Sequence, residues 1–350
     1  MVKIYIEKEN APDVPMSPVF WPNFRFPISP KRLFLAEIMA QYHEPFFQIV
    51  EQPADADFFA VPYEYFFVLD QGSVYLSSVY EKARQAGKKV LLFDYTDYCD
   101  RAVSPPSHAI LFRVSVYRHH KKENEVVMPY FVEDMGARHN ITPKEKGERC
   151  VVGYCGQSRF ASIARALRAR LKWLVYFFWL HLVGDPNPLV HMRGIFWRAR
   201  ALQILRNAGI PLLVKERAFY SLHRASLTED PAVVRKEYIE NLREADLALC
   251  VRGDANASQR FYEALSAARL PLFLDTDCVL PLEEVIDYDR VMLRVHSHEI
   301  ATLPARVRAW QGGKGLAARN LYTEYLRLDR FFATVFDREK SPYKRILFSL

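Results

Sequence analysis

Short apolar runs recur along the chain at Lys89–Asp94, Ile110–Val116, Cys150–Tyr154, Ile210–Val214, Leu247–Val251, Leu270–Leu274 and Val291–Val295, and each predicts a strand. Between many of them apolar residues fall three or four apart. That spacing predicts helices over roughly Lys31–Val50, Ser158–His181, Trp197–Ala208, Pro231–Glu244 and Ala257–Ala268. Strand and helix alternate, which points to an α/β protein with parallel sheets. No internal repeat or low-complexity segment interrupts the pattern.

The polar stretch "MGARHNITPKEKGER" (Met135–Arg149) carries two glycines and a proline and leads into a fresh strand. It reads as a linker between an N-terminal part, 1–140, and a C-terminal part, 149–312. In the remaining segment, 313–350, Leu321, Tyr325, Leu328 and Phe332 share a face, so an amphipathic helix is expected to pack back on the body.

Composition narrows the function. With 350 residues, half of them hydrophobic, the chain suits two well-packed domains, and its formal charge of +7 favours anionic partners. The N-terminal residues lack an apolar signal core, and the longest greasy run, Trp173–Val183, is too short to span a bilayer. Five cysteines without a CxxC pair predict buried reduced thiols rather than disulfides or zinc. A cytoplasmic protein is expected.

The densest polar chemistry is "VRGDANASQRFYEAL", from position 251. A strand ends there, a small-residue loop follows, and Asn256 with Gln259 three residues on makes a capping box for the next helix. Helix N-termini at the carboxyl ends of parallel strands bind phosphates. Arg260 tilts back toward such a phosphate, and Glu263, one turn deeper, can accept from a ribose diol. The same residues would also suit an ordinary surface Arg–Glu pair. The tripeptide Arg252–Asp254 also spells an adhesion motif, here taken as chance.

Leu242–Leu293 resembles the signature region of the exostosin family of glycosyltransferases, through Arg252, Gly253, Asn256, Ser258, Arg260, Phe261, Glu263, Leu265, Pro271, Leu280, Pro281 and Asp287. "PADADFFAVPYEY" (Pro53–Tyr65) and "VVGYCGQSR" resemble two further blocks of that family, in the same order. The resemblance implies a GT-B fold, with two Rossmann-like domains facing across a cleft: 1–140 holding the acceptor and 149–312 the nucleotide-sugar. It implies a hexosyl- or pentosyltransferase that passes a sugar, UDP-linked by default, with inversion, to a hydroxyl of a growing cell-surface glycan, the acceptor being a glycan or a lipid-linked glycan. Arg252, Gly253, Asn256, Ser258, Arg260 and Glu263 would bind the donor. Where bacterial-type members usually have glycine, this chain has Ala255 and Ala268. A catalytically inactive GT-B-like scaffold of polysaccharide assembly is the alternative those alanines keep open.

Further candidates complete the expectation. Gly153, Gly156, Gln157, Ser158 and Arg159 form a second strand-to-helix turn on the donor side. Asp97 and Asp94, with Glu64 behind them, are candidates for the base that takes the acceptor's proton, beside Arg260, which would stabilise the departing diphosphate. Asp275 and Asp277 can begin a metal site, but no required cofactor or metal is expected. His119–Glu125 is read as a solvated loop, with metal or anion binding as the alternative. From Gln157 to Arg206 there are nine Lys/Arg against one acidic residue, Asp185, with an aromatic run inside, which suits an anionic membrane surface at the cytoplasmic face. No nucleic-acid recognition motif is present.

Overall fold

A computed structural model describes residues 1–28, 33–144, 149–220 and 226–349. Two wholly parallel sheets organise it. In the first, β1 (Val2–Tyr5), β2 (Phe47–Val50), β3 (Phe58–Glu64), β4 (Lys89–Asp94), β5 (Ala109–Arg113) and β6 (Glu125–Val127) lie in the order β2-β1-β3-β4-β5-β6. In the second, β7 (Val152–Gln157), β8 (Leu212–Arg217), β9 (Leu247–Val251), β10 (Leu270–Asp275) and β11 (Leu293–His296) lie in the order β11-β10-β9-β7-β8. This is the expected α/β arrangement, with two parallel sheets.

The near-continuous apolar strands follow from burial on both faces. In β4, Val90 and Leu92 join one core while Leu91 and Phe93 join another. In β9, Leu247, Leu249 and Val251 face one side, and Ala248 and Cys250 face the other. The core holding Phe93 and Cys250 runs continuously from one sheet to the other, so the two halves share packed apolar surface.

Four expectations change. Lys31 and Arg32 lie outside the described residues. The rest of the predicted Lys31–Val50 helix is a short helix, Leu35–Met39, followed by strand β2. Pro45 interrupts the helical pattern, and Phe47–Val50 pairs along β1 instead. The proposed linker begins as a helix, Met135–His139, whose first turn is packed rather than free. Met135 is buried, and a Cβ on Gly136 would lie 2.4 Å from the Ser266 carbonyl oxygen. Positions 145–148 of that linker lie outside the described residues.

The expected single C-terminal helix is divided into Gly315–Leu321, a π turn at Tyr322–Leu326 and Leu328–Val335, with Arg327 extended. It bridges the halves. The Phe332 ring lies 5.3 Å from those of Phe46 and Phe47, while Arg319 donates to the Ser266 carbonyl at 2.7 Å.

The expected solvated loop also differs. Arg118–His120 is a 3₁₀ turn docked on the C-terminal half, where Arg118 Nη2 meets Glu283 at 2.8 Å and the backbone bridges Tyr117 to Cys278.

Candidate active site

The order of the second sheet creates a crevice. The chain leaves β7 for β8 on one side and then returns to β9 on the other, so β7 and β9 are a switch point whose carboxyl ends open outward. Tyr154–Gln157 of β7 and the segment from Val251 onward line a cavity there. Phe34, Asp97 and Tyr130 from the N-terminal half form the opposing wall.

Arg260 is the best-defined group in this cleft. Its guanidinium carbon lies 4.8 Å from the ring centroids of both Tyr154 and Tyr238, a sandwich that fixes its plane. Nη2 donates to the Cys155 carbonyl, while buried Nη1 has no hydrogen-bond partner among the described residues. A buried guanidinium N–H left open in a cavity favours an anionic acceptor there.

Glu263, also buried, accepts a hydrogen bond from the Tyr238 hydroxyl at Oε2, and its Oε1 lies 4.0 Å from Arg235. Burial, with the Glu263 carboxylate beside it, holds the Tyr238 hydroxyl well above its usual pKa, so it stays a donor. Arg198, Arg217 and Arg235 also line the cavity, against Asp97, Asp254 and Glu263. Arg217 and Arg235 are tied to Glu237 and Glu133, and Arg198 donates to the Gln157 carbonyl at 3.1 Å. Four guanidiniums around one cavity favour a ligand of more than one negative charge.

With that geometry in place, comparison with known proteins shows what the chain resembles. Residues 196–310 match the Exostosin GT47 domain. The chain is exostosin-like. Exostosin-1b of Danio rerio is 33% identical over 99 residues, and Exostosin-1 of Bos taurus and of Mus musculus are each 32% identical over the same length. These alignments take in 28% of this chain, which spans only 13% of the relatives' length. HepE of Anabaena, solved in complex with UDP, superposes on 99% of this chain and 97% of its own with a TM-score of 0.33 and 10% identity.

Within this exostosin-like chain, the structure brings together Gly253, Ser258, Arg260, Glu263, Gly156, Gln157 and Asp97 of the sequence candidates. A Cβ on Gly156 would lie 3.3 Å from Arg260 Nη2, so the bare backbone leaves the arginine its place. Ser258, not Asn256, is the N-cap residue, and the helix runs Gln259–Ser266.

The other candidates stand elsewhere, each for a physical reason. Asn256 is fully buried beneath the loop. Its Oδ1 accepts from Thr276 at 2.6 Å and its Nδ2 donates to the Asp277 carbonyl at 3.1 Å. Arg252 is buried and donates to the Tyr117 hydroxyl, the Val190 carbonyl (2.8 Å) and the Asp254 carbonyl (2.6 Å). Gly153 faces helix Pro231–Glu244, where a Cβ would lie 2.5 Å from that of Ala245. Ser158 donates to Glu216 at 2.7 Å, and Arg159 is exposed and donates to the Glu216 carbonyl at 3.1 Å.

Asp94 does not reach the cleft. It accepts from Thr96 Oγ1 at 2.6 Å and lies 3.4 Å from Arg113. Burial pushes its carboxyl up to about 6, against the pull of Arg113. Glu64 accepts from the Tyr95 N–H at 2.7 Å. Asp275 accepts from the Cys278 N–H (2.9 Å) and Arg294 (3.1 Å), while Asp277 turns to His119; the two carboxylates do not share a partner.

Sequence reasoning missed Tyr154, Tyr238, Arg198, Arg217 and Arg235. Tyr154 lies in the strand block already quoted, and Arg235 and Tyr238 share a helix face one turn apart. Only the strand order shows that these positions meet Arg260.

Proposed function

We propose that the chain is an inverting glycosyltransferase that takes a UDP-linked sugar and passes it to a hydroxyl of a growing, lipid-linked glycan. One observation carries this reading: Arg260, clamped between two tyrosines with Nη1 unpartnered among the described residues, one turn from Glu263 in the wall of a four-arginine cavity between two parallel sheets. Arg260 would hold the diphosphate and take up its charge as the sugar leaves. Glu263, held at one oxygen by Tyr238, would accept from the ribose. Asp97, on the opposite wall, is the carboxylate proposed to take the acceptor's proton, the sugar inverting by in-line attack. The residues proposed for the donor need no metal for charge compensation.

Calorimetry tests this with UDP, GDP and CDP. Saturable binding of UDP, with slow release of sugar from a UDP-sugar, supports the enzyme. Heat from none of the three nucleotides leaves the non-catalytic scaffold as the better account.

Lipid linkage of the acceptor rests on helix Ile163–Leu182. Its apolar residues Ile163, Leu167, Leu171, Leu174, Val175, Phe178 and Leu182 form one exposed stripe, flanked by Arg165, Arg168, Arg170 and Lys172. Among the described residues no helix is long and apolar enough to cross a membrane. Docking on an anionic leaflet would cover that stripe. Co-flotation with phosphatidylglycerol vesicles is expected for the native chain and lost in a Leu171→Glu, Phe178→Glu double variant. Equal flotation of both proteins would refute the docking.

A further inference from the structure

We propose that His119, His120, Asp185 and His191 form a structural zinc site that fastens the N-terminal half to the C-terminal half beside the cleft. One ligand atom from each of the four lies within 4.8 Å of the others. Asp185 Oδ2 is the shared vertex, 3.5 Å from His119 Nε2, 3.4 Å from His120 Nε2 and 3.1 Å from His191 Nε2. Ligands bound to zinc at roughly 2.0–2.1 Å in a tetrahedron lie about 3.3 Å apart, so these three separations already match a filled site.

The orientation of the rings argues against simple hydrogen bonding to the aspartate. Nε2 of His119 and Nε2 of His191 are buried, face a carboxylate oxygen, and still make no hydrogen bond among the described residues. Buried imidazole nitrogens without a partner are costly, and convergence on a common cation relieves both at once.

The surrounding shell is that of a ligand set. His119 Nδ1 is paired with the Asp277 carboxylate, and His191 Nδ1 lies 2.7 Å from Asp100 Oδ1. A carboxylate on Nδ1 keeps the proton there and presents the Nε2 lone pair to a metal. Asp185 Oδ1 accepts the Asn187 N–H at 2.8 Å, which aims Oδ2 at the histidines. Three imidazoles and one carboxylate, without sulfur, suit zinc, and four protein ligands make a closed site.

Its position gives it a task. His119 and His120 follow β5, Asp185 and His191 follow the basic helix, and the supporting Asp100 and Asp277 follow β4 and β10. The Tyr117 ring packs 4.2 Å from His191 and accepts from Arg252, which also holds the carbonyl of the cavity-lining Asp254. None of the four ligands lines the cleft or falls within the segment matched to the Exostosin GT47 domain. The metal would therefore set the height of the Arg252 loop and the spacing of the two walls.

The test is metal content and stability of tag-free full-length chain. Plasma mass spectrometry is expected to find about one zinc per chain. Chelation is expected to lower Tm and added Zn²⁺ to restore it. Co²⁺ in its place should give the intense visible bands of tetrahedral coordination. His120→Ala, whose imidazole is half-exposed, and Asp185→Asn should keep the native circular dichroism, lose bound zinc and show no Tm response to Zn²⁺. Zinc well below stoichiometry with no Tm response in the native chain would overturn the proposal. So would full zinc occupancy in both variants, or another metal bound in its place.

Discussion

Arg252 and Arg260 lie eight positions apart in one continuous stretch, yet they do opposite work. Arg252, in the loop, commits both terminal nitrogens to Tyr117, Val190 and Asp254, keeps a buried Nε without a partner among the described residues, and does not line the cavity. Arg260, in the helix, is held flat between two rings, lines the cavity and leaves its buried Nη1 without a partner among the described residues. A guanidinium with both terminal nitrogens tied holds the fold together, whereas one with an unpartnered terminal nitrogen in a cavity wall is available to a ligand. The stretch therefore divides at about Ser258 into a scaffolding half and a ligand-facing half.

Removing each arginine tests that division. Arg252→Ala strands the buried Val190 carbonyl and Tyr117 hydroxyl and frees the Asp254 carbonyl, at a cost of about 2–4 kcal/mol, read by urea unfolding. Arg260→Ala removes one backbone hydrogen bond and ring contacts and should cost about 1–2 kcal/mol in the same assay. For UDP the order reverses. Arg260→Ala should weaken binding about 100-fold in calorimetry, the scale of a lost charge-assisted contact. If the two variants lose stability and affinity in equal measure, the division is wrong.

Legibility followed the range of the interactions. Strand β9 and helix Pro231–Glu244 emerged with their observed limits because their patterns are local. That Arg260 and Glu263 share a helix face was legible from spacing, while their assignment to a donor came from the resemblance to the exostosin signature. Arg252 was misassigned to the donor because its acceptors Tyr117 and Val190 lie 135 and 62 positions away. His119 and His120 looked solvated for the same reason: Asp185, His191 and Asp277 reach them only through the packing of two sheets. Asp94 resembled Asp97 in sequence, and only the position of Arg113 on the neighbouring strand separates the buried carboxylate from the one at the cleft.

A smaller effect sharpens the ligand-facing half. If Glu263 accepts from a ribose diol, Glu263→Gln should weaken UDP binding about tenfold while leaving 2′-deoxy-UDP nearly unchanged. An equal loss for both nucleotides would assign Glu263 to holding Tyr238 and Arg235 instead.

The smallest effect separates the two alanines that stand where glycine is usual in the family. Ala268 ends the Gln259–Ser266 helix with φ +54°. The Ala268 N–H donates to the Leu265 carbonyl at 3.0 Å and the Arg269 N–H to the Ala264 carbonyl at 2.9 Å, the paired bonds of a Schellman motif. A left-handed alanine costs about 1–2 kcal/mol, and glycine removes that cost while adding about 0.4–1 kcal/mol of unfolded-chain freedom. Ala268→Gly should therefore stabilise the chain by up to about 1 kcal/mol without changing UDP affinity. Ala255, in the loop, keeps a negative φ and a buried methyl, so Ala255→Gly adds the loss of that burial to the entropic loss and destabilises by about 1–2 kcal/mol. Opposite signs in paired unfolding curves would show that the family's glycine at the helix end answers a backbone need, and that the loop has none at Ala255.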